Sequence, residues 1–289
     1  MTADDRTAPA PDGPAPDGPA RAGRAAGKVV LVTGAARGMG RSHAVRLAVE
    51  GADVVAVDIC ADIPSARYPL GTEEELAETG RRVKEAGGRV VTAVADVRDP
   101  VGLGRAVDAG VEALGRLDVV VANAGICTIQ PWDEVTPAVW DDVIGTNLTG
   151  VWNTCVAAAP HLIAAGGGSM ILISSSAGLK GQPFFAPYSV SKHGVVGVMR
   201  VLANELADHR VRVNTVHPTG VATPMVAGLG GLGELLADRP KLGPLFMNSL
   251  PVDVLQPGDV SDTVLFLASD ESRYVTGLAM TVDAGAAAR

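Results

Sequence analysis

A short apolar run, Lys28-Val-Val-Leu-Val, leads directly into Thr33-Gly34-Ala-Ala-Arg37-Gly38-Met39-Gly40 and then into Arg41 to Glu50. No other feature limits the fold of this chain so strongly. The β-branched run reads as a buried parallel strand. Val45, Leu47, Ala48 and Val49 mark the apolar face of a following helix. A strand, a glycine turn and a helix in that order make a dinucleotide site. The glycines let the backbone approach a pyrophosphate, and the helix N-terminus offers free N–H groups and a positive dipole end. An ordinary tight turn between strand and helix would carry the same glycines. The next strand, Asp53-Val-Val-Ala-Val, ends in Asp58, where a carboxylate can accept hydrogen bonds from ribose hydroxyls.

Strands and helices alternate through the rest of the chain. Further strands are read at residues 89–94, 117–122, 169–174, 211–216 and 278–282, and helices at 72–86, 100–115, 137–165, 187–209 and 257–269. This alternation predicts an α/β fold, a doubly wound parallel sheet of seven strands with helices on both faces. No boundary for a second domain is visible. Two connections exceed the roughly 2–6 residues usual in such folds. One is residues 59–71, directly after Asp58. The other is residues 221–256, at the carboxyl edge of the sheet, where ligands bind in open α/β folds. The second is a candidate substrate lid; either could equally be an idle surface insertion.

The chemistry-bearing segment is Tyr188-Ser-Val-Ser-Lys192, with Ser175 and Asn147 upstream. A tyrosine and a lysine four apart share one helix face. An ammonium beside a phenol favours the phenolate, bringing a pKa of roughly 10 toward neutrality. A nearby serine can hold a substrate oxygen while the tyrosine exchanges a proton with it. Such a device interconverts an alcohol and a carbonyl. Phe184 and Phe185, between Ser175 and Tyr188, are candidates to line an apolar substrate pocket, as is Trp152; core packing is the alternative. Asp58 favours free ribose hydroxyls and repels a 2′-phosphate, so NAD is expected over NADP. Arg37 could hold a phosphate or stand in solvent.

These residues together resemble the short-chain dehydrogenase/reductase family, over about Lys28 to Gly285. The glycine motif has that family's Thr-Gly-x-x-x-Gly-x-Gly form. Asp96-Val97, Asn123-Ala124-Gly125, Asn147, Ser175, Tyr188, Lys192 and Pro218-Thr219-Gly220 follow in the family's order. Thr219 departs from it, since relatives often carry glycine after the proline. The resemblance implies a Rossmann-type sheet in the order 3-2-1-4-5-6-7. It implies a catalytic set of Asn147, Ser175, Tyr188 and Lys192, with Ser175 chosen from the 174–176 triplet because it lies thirteen residues before the tyrosine. Lys192 also holds the nicotinamide ribose, and Asn147 offers its backbone carbonyl to a proton relay. Cofactor contacts are implied for Gly34, Arg37, Gly38, Met39, Gly40, Asp58, Asp96, Val97, Asn123, Ala124, Gly125, Tyr188, Lys192, Pro218, Val221 and Thr223. Asn123 also has a structural role in the sheet.

The stretch from Asp58 to Thr72, with Gln182-Pro-Phe-Phe and Thr223-Pro-Met225, is similar to a narrower subgroup. That subgroup holds carveol dehydrogenase-like enzymes linked to the redox peptide mycofactocin, in which NAD does not exchange. The expectation is therefore an NAD-dependent oxidoreductase of an apolar, terpenoid-like secondary alcohol or its ketone, homotetrameric through the helices at 137–165 and 187–209. The rivals are a 3-oxoacyl-[acyl-carrier-protein] reductase and a non-catalytic NAD(H)-binding sensor. Asp58 counts against the first, and the intact Tyr188–Lys192 pair against the second.

Composition narrows the partners. A formal net charge of −8 argues against nucleic acid or an anionic membrane. Cys60, Cys127 and Cys155 show no metal spacing, and the five histidines form no ligand pattern. No apolar stretch reaches the roughly 20 residues of a membrane span. Residues 1–27 are Ala, Pro, Asp, Gly and Arg without the apolar core of a signal peptide. They read as a disordered tail, and the protein as cytoplasmic.

Overall fold

The computed structural model describes residues 23–288. Seven parallel strands form one sheet in the order β3-β2-β1-β4-β5-β6-β7. They are β1 (Val29–Thr33), β2 (Asp53–Asp58), β3 (Val90–Val94), β4 (Val119–Ala122), β5 (Gly168–Ile173), β6 (Val211–Pro218) and β7 (Ala279–Val282). The order reverses between β1 and β4, so the carboxyl ends of these two strands flank a crevice. β1 is paired on both sides, Val30 with Val54 and with Val119. Its burial is unbroken, as the continuous apolar run requires.

Helices cover both faces. The long ones are α1 (Gly38–Val49), α2 (Glu73–Glu85), α3 (Pro100–Leu114), α4 (Pro137–Ile144), α5 (Gly150–Ala164) and α6 (Ala186–Glu205). Two short ones, α7 (Pro224–Gly228) and α8 (Leu232–Asp238), precede α9 (Pro257–Ala268). One core packs Leu47 and Ala48 of α1 and Val264 and Leu265 of α9 against Val30, Val54 and Ile171. The other packs Leu103 and Val107 of α3, Cys155 and Leu162 of α5 and Val195 and Met199 of α6 against Leu31, Val120 and Leu172. Thr72 and Glu75 close a reciprocal capping box at the start of α2. Among the described residues no helix is long and apolar enough to cross a membrane.

Three expectations are corrected. The continuous helix at 137–165 is broken by a π-helical turn, Gly145–Thr149. Such turns insert one extra residue and redirect side chains, often at functional positions. Residues 221–256 are partly helical, holding α7, α8 and a 3-10 turn at Pro240–Phe246. Finally, the expected disordered tail lies outside the described residues only for positions 1–22. Positions 23–27 are folded: Ala25 is fully buried and its N–H reaches the Glu50 carbonyl, while Arg24 pairs with Glu271.

Candidate active site

The glycine turn lies at the crevice because its backbone must pass the end of β4 at close range. A Cβ on Gly34 would stand 2.8 Å from the Ala124 Cα, and one on Gly40 would stand 2.0 Å from the Gly34 carbonyl oxygen. Gly34 also takes a φ of 66°, which side chains rarely adopt. Asn123 secures the same junction. Its amide donates to the carbonyls of Thr33 at 3.0 Å and Gly34 at 3.3 Å. Thr33 Oγ1 in turn accepts from the N–H groups of Asn123 and Ala124.

This turn forms one wall of a cleft. Gly34, Arg37, Gly38, Met39 and Gly40 line it, with Asp58, Asp96, Val97, Asn123, Ala124, Gly125 and Thr223. All were named as cofactor residues from the sequence. Pro218, Val221, Tyr188 and Lys192 do not line it; Val221 is buried in the core and bridges Leu255. Asp58 accepts from Ala36 N–H at 2.9 Å and Cys60 N–H at 3.1 Å, one bond per carboxylate oxygen. Each oxygen keeps acceptor capacity toward the cleft. Asp96 is held by Arg98, which also bridges to Asp142.

Arg37 lines the cleft with its guanidinium already engaged. It donates to the Pro69 carbonyl and lies 3.9 Å from Glu75. Arg37 thus ties the segment 59–71 to the glycine turn. That segment is a strap across the cleft. Ser65 Oγ donates to Asp142 at 2.6 Å, Leu70 N–H to Asp62 at 2.7 Å, and Ile63 and Tyr68 are buried.

The catalytic candidates gather beside the cleft, next to its Gly125 wall, where a Cβ would stand 3.2 Å from Asn147 Oδ1 and 3.6 Å from Lys192 Nζ. β5 ends at Ile173 and delivers Ser175, whose Oγ accepts from the Ala177 N–H at 3.1 Å and is near enough to the Tyr188 hydroxyl to act on its pKa. Tyr188 and Lys192 rise from the first turns of α6. The Lys192 ammonium lies 5.6 Å from the Tyr188 ring centre and donates to the Ile173 carbonyl at 2.8 Å. Asn147 enters from the π turn, fully buried. Its side chain grips the backbone of Ile126 in both directions, accepting from N–H and donating to C=O, each at 2.8 Å. Its amide also reaches Ser191 at 3.3 Å.

Burial dominates the protonation of this set. The Tyr188 ring is partly exposed, but its hydroxyl is enclosed, and burial raises its pKa; the Ser175 hydrogen bond opposes the rise. Burial pushes Lys192 down to about 8, partly offset by Cys127. Burial thus outweighs the lowering of the tyrosine expected from Lys192.

Phe184 and Phe185 are buried with Cys127 and Ile129, and half-buried Met225, Leu229, Leu236 and Phe246 close over them. Phe185 meets Tyr188 edge-on at 6.3 Å and Phe246 at 6.0 Å. Phe184 holds a φ of 68°, an uncommon conformation for a bulky residue, fixed where its carbonyl accepts from Gln130 N–H at 3.0 Å. Trp152 does not join them. It sits on α5 at 44% exposure and does not line the cleft. Two supporting residues escaped the sequence reading. His217 is fully buried and bonds the Ser175 carbonyl through Nδ1 at 2.8 Å. Ser174 donates to the Lys192 carbonyl at 2.9 Å, fastening α6 to β5. Their signal was only adjacency to the motifs.

Comparison with known proteins agrees with this geometry. A family model described as Enoyl-(Acyl carrier protein) reductase matches residues 34–287. (-)-trans-Carveol dehydrogenase of Rhodococcus erythropolis is 48% identical over 271 residues, 91% of this chain and 98% of that enzyme. A short chain dehydrogenase from Mycobacterium paratuberculosis, crystallised bound to NAD, superposes with a TM-score of 0.89 at 49% identity, over 92% of this chain and all of that one. Carveol dehydrogenase from Mycobacterium avium in complex with NAD gives a TM-score of 0.86 at 49% identity and the same coverage. From the glycine turn to the Tyr188–Lys192 pair, this chain belongs to the short-chain dehydrogenase/reductase family.

Proposed function

We propose that the protein is an NAD-dependent dehydrogenase of apolar secondary alcohols, working in reverse as a ketone reductase. One observation carries the reading: Ser175, Tyr188 and Lys192 gather beside Gly125, in the wall of the cleft that also holds the glycine turn and Asp58.

The residues present fit NAD. The glycine turn admits a pyrophosphate, and Asp58 retains acceptors for two ribose hydroxyls. NADP fits worse. A Cβ on Gly71 would lie 3.1 Å from Asp58 Oδ1, so the strap crowds the carboxylate, and Arg37 is engaged elsewhere. NAD supplies the hydride acceptor and, when oxidised, a positive charge. Lys192 and that charge favour the Tyr188 phenolate against burial. Tyr188 then takes the proton from the alcohol hydroxyl while Ser175 holds the same oxygen by a hydrogen bond. Asn147, Ser174 and His217 hold these groups in place. The apolar cluster of Phe184, Phe185 and Phe246 selects an apolar substrate, such as a terpenoid alcohol.

The strap supports a finer reading. Its bonds to Arg37 and Asp142 favour NAD that is retained through purification and reoxidised in place by a peptide-derived carrier of the mycofactocin type. Exposed Trp152 and Val156 on α5 and Val190 and Val201 on α6 support burial against further copies, as in a homotetramer. Free Cys60, Cys127 and Cys155 suit a reducing cytoplasm. The test is to denature purified protein, quantify released nucleotide, and compare turnover of carveol with added NAD and with a redox dye. Retained NAD with dye-dependent turnover is expected. Empty protein that oxidises no alcohol under either condition would refute the reading.

A further inference from the structure

The strap does more than cross the cleft. Tyr68 is 6% exposed, and its hydroxyl accepts a hydrogen bond from the Cys127 N–H at 3.0 Å. The adjacent residue, Ile126, is the one whose N–H and C=O are both gripped by Asn147. Two consecutive residues beyond β4 are therefore pinned by side chains from two different elements. Ile126 packs with Ile63 of the strap and with Tyr188 itself, and Tyr68 is close enough to Tyr188 for the two phenols to feel each other's charge. On its other side Tyr68 is seated on the lid. A Cβ on Gly228 would stand 2.4 Å from the Tyr68 Cβ.

We infer that Tyr68 is a positioning residue, which completes the backbone frame of the catalytic centre only while strap and lid are both in place. Resting on the dehydrogenase reading, it makes turnover conditional on the covered state. Asn147 holds the peptide before Ile126 by its N–H and the peptide after it by its C=O. The N–H side of that second peptide is held by a residue belonging to a cover, so an open strap leaves the Cys127 amide without its partner and the wall beside Tyr188 held from one side only. Gly228 is required because any larger residue displaces Tyr68.

Two variants test this without touching a reacting group. Tyr68→Phe keeps the ring and removes the acceptor. Gly228→Ala keeps the hydroxyl and moves the ring. Each is expected to lower kcat for carveol with a redox dye about fivefold to tenfold, the range for loss of one hydrogen bond, with KM little changed. The double variant should be no slower than the worse single, because both break one contact. Hydrogen exchange at the Cys127 amide is the readout independent of turnover. It should quicken about tenfold in both variants, with the thermal midpoint within a few degrees of wild type. Unchanged exchange and unchanged kcat in Tyr68→Phe would overturn the inference, as would fully additive losses in the double variant. Faster exchange in a protein whose wild type oxidises no alcohol would instead sink the dehydrogenase reading and leave the frame standing.

Discussion

The strap and the lid are both insertions at the carboxyl edge of the sheet, yet they are held by different physics. The strap is fastened by directional bonds to three separate elements: Arg37 to Pro69, Ser65 to Asp142 and Tyr68 to Cys127. The lid is clamped toward its two ends, where Val221 bridges Leu255, Thr219 bonds Asn248 at 2.9 Å, and the N–H groups of Ser249 and Leu250 reach the Ala284 carbonyl. Between these points α7, α8 and the 3-10 turn contain no buried residue. They rest on Phe184 and Phe185 through half-buried leucines, Met225 and Phe246. Directional bonds specify one closed position and resist opening. Apolar contact is non-directional and tolerates repacking. The molecule thus places a fixed cover over the proposed NAD site and an adaptable one over the proposed substrate pocket.

Tyr188 packs with the lid cluster and with the strap cluster, so it stands where the covers meet. Tyr188→Phe should leave both covers closed and remove only the proton transfer. Retained nucleotide should match wild type while turnover falls roughly 10²-fold or more. A variant with near-normal rate would show that the chemistry lies elsewhere and that the covers enclose something else.

Lys192 is a buried cation beneath both covers, and its folded pKa of about 8 is below the ordinary 10.5. The fold therefore disfavours the protonated lysine. That cost is fully present below about pH 8 and fades as pH rises toward 10.5. Replacing the charge by Lys192→Met should stabilise nucleotide-stripped protein at pH 7 by on the order of 3 kcal/mol while abolishing turnover. It should also flatten the pH dependence of chemical denaturation between 8 and 10. A variant less stable at pH 7 would mean that the lysine's bond to Ile173 outweighs its desolvation.

Asp58 comes next in size. Asp58→Ala removes the proposed acceptors for ribose hydroxyls and the acceptors of the N–H groups of Ala36 in the glycine turn and Cys60 at the start of the strap. NAD affinity should fall about tenfold to a hundredfold, from the roughly 1.5–3 kcal/mol of a hydrogen bond to a charged group. The gap to NADP should narrow in a direct titration of stripped protein. Equal affinity of the wild type for the two nucleotides would remove Asp58 from cofactor choice.

What the sequence made legible follows the same division. The alternation of strands and helices and the cleft wall were readable, because continuous β-branched runs and the glycine turn have few alternative uses; the strand order came from the family resemblance. Tyr188 and Lys192 were legible as a pair spaced by one helix turn, and Ser175 only through the family's distance from serine to tyrosine. The strap's route was not. It depends on partners at Arg37, Cys127 and Asp142, which are near in space and remote in sequence. The lid's helices, of five and seven residues, are too short to show a periodicity. The π turn leaves no composition signal, and Trp152 as an aromatic on a helix could point either way. Residues 23–27 looked like the tail because nothing local reveals that Ala25 is covered by the end of α1.

The smallest effects discriminate best between the two covers. Ser65→Ala breaks the strap's bond to α4 and leaves the lid untouched. It should speed nucleotide release about fivefold, the effect of roughly 1 kcal/mol, with KM for the alcohol unchanged. Phe246→Ala removes a lid ring from Phe185 and leaves the strap's bonds intact. It should raise KM for a compact terpenoid alcohol several-fold, in keeping with the roughly 0.5–1.5 kcal/mol of an aromatic pair, and admit bulkier alcohols, with nucleotide release unchanged. The crossed result is what separates a fixed cover from an adaptable one. If each variant altered release and KM together, strap and lid would move as one body, and the Tyr68–Gly228 contact would be part of a continuous interface instead of a single joint. If Phe246→Ala left substrate range as it was, the specificity would reside in Phe184 and Phe185 alone, held by the backbone at Gln130 and independent of what closes over them.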